Sequence, residues 1–154
     1  MQKYQIAEIN IARMKGVDIN DPIMQEFIEN LDAVNTLAER SEGFVWRLKD
    51  DSNNATSLNP YSDEQIIINV SESVESLENY VYKTFHTDFL KRRCEWFQTF
   101  GKAHTAMWWI ESGNYPTLNE AVDKLDTLQK NGVSESVFDF RNKFKQPLSI
   151  MSAI

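Results

Sequence analysis

The sequence predicts an α+β fold, and three observations carry this prediction. Strand patterns occupy residues 4–14, 44–48, 65–70 and 104–111, while amphipathic helix patterns occupy 21–42 and 73–100. Helix-capping residues and glycines stand at the junctions between these patterns. The resulting order, β-α-β-β-α-β, is the ferredoxin-like arrangement. A further helix over 117–131 and a short strand over 137–140 are predicted after it.

The first strand carries polar residues on both of its faces. Side chains alternate along a strand, so Glu8 and Asn10 share one face with Ile6. Two interpretations stay open: these polar groups are ordinary exposed strand residues, or they line a semi-polar cavity. In the helix that follows, Asp21 and Pro22 suit the N-cap and the first helical position, and Gly43 suits the C-terminal end.

The second helix is predicted to begin after Ser73 and to carry two lines of side chains. An apolar line for ordinary packing consists of Val74, Leu77, Val81 and Phe85. The second line places two ionisable groups among aromatic ones, at spacings of three and four: Tyr82, His86, Phe89, Arg93, Trp96 and Phe97. This second line is where we expect any chemistry of the helix to lie.

The fourth strand indicates that both faces of the sheet are covered. Trp108 and Trp109 are adjacent, so they point to opposite sides of the sheet. Two helices on one face leave the other face open. The helix after the strand, which begins with the capping box Thr117 to Glu120, is one candidate for its cover, and a second copy of the chain is the other.

Composition limits the classes of function. The chain has 154 residues, which suits a single domain over 1–154, and a net charge of −7, which disfavours nucleic acid as a partner. No apolar run reaches the length of a membrane span, and Cys94 stands alone, so neither a disulfide framework nor a cysteine metal site is expected. We therefore expect a cytoplasmic protein. The polar connection over 49–64 is either a lid or a solvent-exposed loop.

With these elements placed, the chain resembles a bacterial family of uncharacterised domains in the dimeric α/β-barrel superfamily, which includes antibiotic-biosynthesis and haem-degrading monooxygenases. The resemblance is carried by IAEINIA at 6–12, LDAVNTLAERSEGFVWRL at 31–48, ENYVYKTFHTDFLKRRCEWF at 78–97, MWWIESGNYPTLNEA at 107–121 and VFDFRNKF at 137–144. It implies a homodimer whose sheets face each other in a barrel, with a pocket between each sheet and its second helix.

The same resemblance bears on the cofactor. Haem-degrading relatives use an Asn on the first strand and a Trp and a His on the second helix, and Asn10 and His86 match two of these. Tyr80 and Tyr82 precede His86 where the relatives have a Trp, and this departure argues against haem chemistry. We expect no cofactor and no metal, with haem binding kept as an alternative.

The predicted function is a monooxygenase-like oxidoreductase that oxidises or binds an apolar or aromatic small molecule in this pocket. The candidate catalytic residues are His86, Arg93 and Asn10, and the candidate ligand-binding residues are Tyr82, Phe89, Trp96, Trp108 and Glu8. His86 has three interpretations: a structural histidine, a polar anchor or general base for a ligand, and a haem or metal ligand. The alternative function is a non-catalytic dimeric ligand-binding or structural module.

Overall fold

A computed structural model describes residues 4–15, 21–49, 64–83 and 103–147. They form seven regular elements: β1 Tyr4–Arg13, α1 Gln25–Arg40, β2 Phe44–Arg47, β3 Glu64–Ser71, α2 Val74–Lys83, β4 Thr105–Glu111 and α3 Leu118–Asn131. The predicted α+β class is confirmed. Among the described residues, none of the helices combines the length and the apolarity that a bilayer span requires.

The four strands form one antiparallel sheet in the order β2-β3-β1-β4. Its register decides which side chains share a face. Glu8 of β1 lies opposite Asn69 of β3 and Met107 of β4. Two residues further along β1, Asn10 lies opposite Thr105 of β4. Directly opposed residues point to the same side of a sheet, so the polar residues of β1 and β3 meet on one face.

α3 covers the opposite face of the sheet. Its buried residues Ala121, Leu125 and Leu128 pack on the apolar side chains of the central strands, which include Ala7, Ile9, Ile11, Ile68, Val70, Ala106 and Trp108. The helix after the fourth strand therefore covers this face within the chain, and a second copy of the chain stays a prediction. Trp108 is buried here, and its Nε1 donates to Glu120 Oε2 at 2.9 Å.

α2 packs on the face that carries Glu8. Its Val74 and Leu77 join a second buried cluster with Ile6, Met107 and Phe138. The predicted short strand over 137–140 is reduced here to two isolated bridges, Val137 with Ser134 and Phe138 with Met107. Phe138 and Met107 exchange backbone hydrogen bonds of 2.8 and 2.9 Å. The pairing stops because the Asp139 carboxylate accepts from the backbone of Arg141 and Asn142 and turns the chain away.

The ends of the helices largely follow the predicted signals. Asp21 caps a short 3-10 turn over Pro22–Met24 rather than the α-helix itself, which begins one turn later. Thr117 caps α3 by accepting from Glu120 N at 3.1 Å, as the capping box predicts. The predicted continuation of the second helix beyond Lys83, and most of the polar connection over 49–64, lie outside the described residues.

Candidate functional site

A cluster of buried polar side chains lies between the sheet and the helices α1 and α2. Glu8, Arg47 and Asn69 come from three neighbouring strands, and their exposed fractions are 4%, 6% and 8%. The register explains why they meet, since Asn69 lies opposite both Glu8 and Arg47. A β-bulge between Phe44 and Trp46 precedes Arg47. Buried charges are uncommon unless they are paired, so this cluster is a candidate functional site.

Glu8 is the central carboxyl of the cluster. Its Oε1 accepts a long hydrogen bond of 3.4 Å from Asn69 Nδ2. Burial raises the pKa of Glu8 to about 7, and the Asn69 bond opposes that rise. A carboxyl that titrates near neutral pH can take up or release a proton under ordinary conditions. Glu8 therefore has the property that a general acid or base requires.

Arg47 of the edge strand and Tyr80 of α2 complete the cluster beside Asn69. Arg47 donates to Glu39 Oε1 of α1 from Nε at 3.3 Å and from Nη2 at 3.1 Å. Tyr80 of α2 lines a small cavity together with Asn69. Burial chiefly, and then the charge of Glu8, raise the pKa of Tyr80 to about 12, while Arg47 acts in the opposite direction. Tyr80 therefore keeps its hydroxyl proton at neutral pH and can donate it in a hydrogen bond.

A second set of polar side chains continues the face beyond Glu8. Asn10 Nδ2 donates to Thr105 Oγ1 at 2.8 Å, and Thr105 Oγ1 lies 3.1 Å from His104 Nδ1. Asn10 and Thr105 are half-buried. Asn10 follows Glu8 by two residues on one strand, so the two side chains are about 7 Å apart along the sheet. Polar side chains therefore form a row along this face of the sheet. Glu8 is the buried end of the row, and Asn10 with Thr105 is its half-buried end.

A small cavity of about 10 Å³ adjoins the cluster, which is room for about one water molecule. It lies where the end of α1, β2, β3 and α2 meet, and its polar lining consists of Ser41, Glu42, Asn69, Ser71, Ser76 and Tyr80. A haem does not fit this space, and the Asn10 amide is already engaged by Thr105. The residues that line this cavity therefore do not fit a haem.

The structure brings together some of the predicted site residues and separates others. Glu8 and Asn10 share the face below α2, and the burial of Glu8 excludes the interpretation of an ordinary exposed residue. Trp108 lies on the opposite face, against α3, so it does not line a site with Glu8. Tyr82 belongs to α2, but its side chain is not among those that the structure describes. Four more predicted site residues lie outside the described ranges: His86, Phe89, Arg93 and Trp96.

Sequence reasoning missed three members of the cluster. Arg47 and Asn69 each interrupt an apolar strand pattern, in FVWR and in IIINV, and an isolated polar residue in such a pattern was an available signal. Tyr80 follows Leu77 by three residues on α2, which places the two on neighbouring parts of one helix face. That spacing could have added Tyr80 to the candidate site.

The fold and the site define a class of α+β protein with an antiparallel sheet and a buried carboxyl–arginine–tyrosine cluster beneath a helix. Residues 5–152 match the family model described as "Domain of unknown function (DUF3291)", so the chain belongs to this family. The predicted membership in an uncharacterised domain family is thereby confirmed. No curated protein matches the chain.

Solved structures with some likeness include a protein of unknown function, NE2512, from Nitrosomonas europaea, with 7% identity, a TM-score of 0.49 and coverage of 76% of this chain and 97% of that one. A variant of SnoaB, a cofactor-independent oxygenase from Streptomyces nogalater, has 12% identity, a TM-score of 0.45 and coverage of 75% and 98%. The dimeric α/β-barrel architecture stays a prediction.

Proposed function

We propose that the protein is a monooxygenase-like enzyme that binds an apolar or aromatic small molecule on the sheet face below α2. The ligand lies beside Asn10 and Thr105, with Glu8 as the group that accepts its proton. The observation that carries the proposal is the placement of Glu8, a carboxyl that is 4% exposed beneath a helix, at the deep end of a row of polar side chains.

The chemistry follows from this placement. Glu8 removes a proton from a hydroxyl or an acidic C–H group of the ligand, and the ligand anion then reacts with dioxygen. One oxygen atom enters the product and the other leaves as water, so the ligand itself is the reductant. Buried polar groups stabilise the anion more strongly than water does, because they are already oriented. Tyr80 supplies a hydroxyl donor, and Asn10 supplies an amide.

The charge of Arg47 also supports stabilisation of the ligand anion. When Glu8 takes up the proton of the ligand, the negative charge moves from Glu8 to the ligand and stays within the cluster. Arg47 is 6% exposed, and its pairing with Glu39 holds its guanidinium in place. A fixed positive charge within the cluster favours retention of the anion.

The remaining candidate residues are included in the proposed site because of their sequence pattern alone. His86 and Arg93 are further polar groups for the ligand, and the aromatic side chains of Tyr82, Phe89 and Trp96 form its apolar walls. An aromatic enclosure with few polar groups is the common form of a small-molecule site.

The proposed enzyme acts as a cytoplasmic homodimer with the ferredoxin-like arrangement. The strand order β2-β3-β1-β4 supports this arrangement. Apolar side chains at the margin of the α3-covered face remain only partly buried, among them Trp46, which stacks on Tyr115 with ring centroids 5.1 Å apart. A second copy packed at this margin buries them further.

Light scattering tests the dimer. We expect a particle of twice the chain mass of 17.9 kDa. Tyr115 is 51% exposed, and Tyr115→Lys is expected to shift the particle towards the monomer, because burial of the lysine charge at an interface is unfavourable. Ile23→Lys is the matched control, since Ile23 is 47% exposed at the start of the first helical segment. A monomeric wild-type protein contradicts the dimer.

Oxygen consumption with naphthols and larger hydroxylated polycyclic aromatics tests the reaction. Glu8→Gln keeps the shape of the side chain and removes the base, so we expect the rate to fall by about 100-fold or more while ligand binding persists. Binding is followed by quenching of tryptophan fluorescence. Glu120→Gln is the control, because Glu120 contacts Trp108 on the other face of the sheet.

Two results contradict the proposed reaction. Full oxygen consumption by Glu8→Gln removes Glu8 from the role of base. Saturable binding of these compounds by the wild-type protein without oxygen consumption supports the non-catalytic ligand-binding module instead. The bonds Asn69–Glu8 and Arg47–Glu39, which satisfy polar groups within the protein, favour the other form of this second candidate, a structural module.

A further inference from the structure

His104, which the proposed function does not use, borders the half-buried end of the polar row. It directly precedes β4, and its surroundings are held from two sides. Ile11 of β1 donates its backbone N–H to the carbonyl of His104 at 2.9 Å. Gln129 of α3 donates from Nε2 to the carbonyl of the neighbouring Ala103 at 2.7 Å. The imidazole of His104 is therefore presented from a fixed backbone beside Thr105, the first residue of β4.

Three side chains form one chain of hydrogen bonds at this place. Asn10 Nδ2 donates to Thr105 Oγ1 at 2.8 Å, and Thr105 Oγ1 lies 3.1 Å from His104 Nδ1. All three residues are half-buried, so each is packed by the protein on one side and accessible on another. Asn10 is the member that lies next along β1 from Glu8 on the same face of the sheet.

The direction of these bonds follows from the capacity of the threonine hydroxyl. A hydroxyl has one proton to donate and two lone pairs that accept. The Asn10 amide occupies one lone pair, and the other side-chain partner of Thr105 among the described residues is His104. With Nδ1 of His104 as acceptor, every group is satisfied. With a proton on Nδ1, the Thr105 proton has no acceptor among these residues, so the first arrangement is favoured and the neutral imidazole carries its proton on Nε2.

We infer that His104 is a positioning residue that orients the Asn10 amide through Thr105, so that Asn10 presents its carbonyl oxygen and one N–H to a hydroxyl group of the ligand. An asparagine amide can otherwise adopt two orientations that exchange its oxygen and its nitrogen. Because one N–H is bound to Thr105, the carbonyl oxygen, on the other branch of the amide, points away from that residue.

The oriented amide defines the group that it recognises. A ligand hydroxyl donates to the carbonyl oxygen of Asn10, and the oxyanion that remains after loss of the proton accepts from the free N–H. An ether or a hydrocarbon cannot donate to the carbonyl oxygen. The ligand class is therefore hydroxylated aromatic compounds. This class rests on the proposed function, whereas the orientation of the amide does not.

Nitrogen NMR of the labelled protein tests the orientation without a ligand. Under mildly alkaline conditions, where the imidazole is neutral, we expect the proton of His104 on Nε2. His104→Leu removes the acceptor of the Thr105 hydroxyl, so the side-chain amide protons of Asn10 should exchange faster with water. His104→Asn, whose side-chain oxygen takes the place of Nδ1, should keep the slow exchange. Both variants lose the ring, so the difference between them reports the acceptor.

Two results of this measurement overturn the positioning role. One is a wild-type protein with the proton on Nδ1 of His104. The other is equal exchange of the Asn10 amide protons in His104→Leu and in the wild type. Thr105→Val, which keeps the shape of the side chain and removes the hydroxyl, gives a second variant with the same expected exchange as His104→Leu.

Titration calorimetry with β-naphthol, its methyl ether and naphthalene tests the ligand group. We expect the wild type to bind the naphthol about tenfold more tightly than the ether, which lacks the donor hydrogen. Thr105→Val and His104→Leu should reduce this ratio to about one, and Thr105→Ser should retain it. Naphthalene has no hydrogen-bonding group, so its affinity should be the same in all these proteins.

The outcomes separate this inference from the proposed function. Equal affinity of the wild type for the naphthol and its ether overturns the assigned ligand group. Parallel loss of naphthol and naphthalene binding in Thr105→Val and His104→Leu overturns it as well, because the role of these residues is then structural. Binding of none of the three compounds contradicts the proposed function, and the NMR measurements then still decide the orientation of the Asn10 amide.

Discussion

Replacement of Gly43 by alanine is expected to lower the free energy of unfolding by about 3 kcal/mol, through two independent causes. Gly43 has a φ of +83°, a left-handed conformation that costs an L-residue about 1–2 kcal/mol. A β-carbon at this position also overlaps the side chain of Ser76 in the first turn of α2. Overpacking of this kind costs about 1–3 kcal/mol. The position therefore fixes both the turn before β2 and the approach of α2.

Gly113→Ala is the matched control for this prediction. Gly113 has a φ of +92°, but an added β-carbon there meets nothing within 4 Å. The control therefore measures the backbone cost alone, and urea unfolding of both variants should show a larger loss at Gly43. Ser76→Gly removes the overlapping atoms, so it should rescue part of the Gly43→Ala loss in a double-mutant cycle. Equal losses at the two glycines contradict the predicted contact with Ser76.

The order of elements was predictable because it is a local property. Helix capping at Thr117 and the alternation of β1 depend on residues close in sequence, and the structure has both. Trp108 and Trp109 were also expected on opposite faces. Alternation within one strand does not determine, however, which side chains of β4 lie on the same side of the sheet as Glu8 of β1. That match depends on the register between strands, and it places Trp108 away from Glu8.

The buried cluster depended on tertiary structure for the same reason. Arg47, Asn69 and Glu8 meet only once three strands are aligned, and the bulge after Phe44 shifts β2 relative to β3. No local pattern in the sequence specifies that bulge. The short strand predicted over 137–140 is reduced to isolated bridges for another reason: its apolar residues suit a strand, but the Asp139 carboxylate accepts hydrogen bonds from the backbone of Arg141 and Asn142 and turns the chain.

The stability of the folded protein is expected to fall by about 3 kcal/mol as the pH rises from about 4.5 to 7, through Glu8 alone. Burial raises the pKa of Glu8 from 4.5 to about 7 in the folded state. Between these values the unfolded chain has lost the proton that the folded chain still binds. Stability contributed by the bound proton is therefore complete below the lower value and is lost as the pH passes through the higher one.

Glu8→Gln isolates this contribution, since glutamine does not titrate. Other carboxyl groups change the stability of both proteins alike, so the difference between wild type and variant is the quantity to measure, by urea unfolding across the pH range. That difference should shift in favour of the variant by about 3 kcal/mol. Glu135→Gln, at an exposed position, is the control that should show no such trend.

A pH-independent difference between wild type and Glu8→Gln contradicts the burial of an ionisable Glu8. The expected trend has a consequence for function. Above neutral pH the ionised carboxylate destabilises the fold, and glutamine at the same position avoids this cost. Strand β1 therefore carries at Glu8 a group that a purely structural role would not require. The variant that is more stable at high pH should be the same variant that loses oxygen consumption, and this joint outcome separates an acid–base role from a structural one.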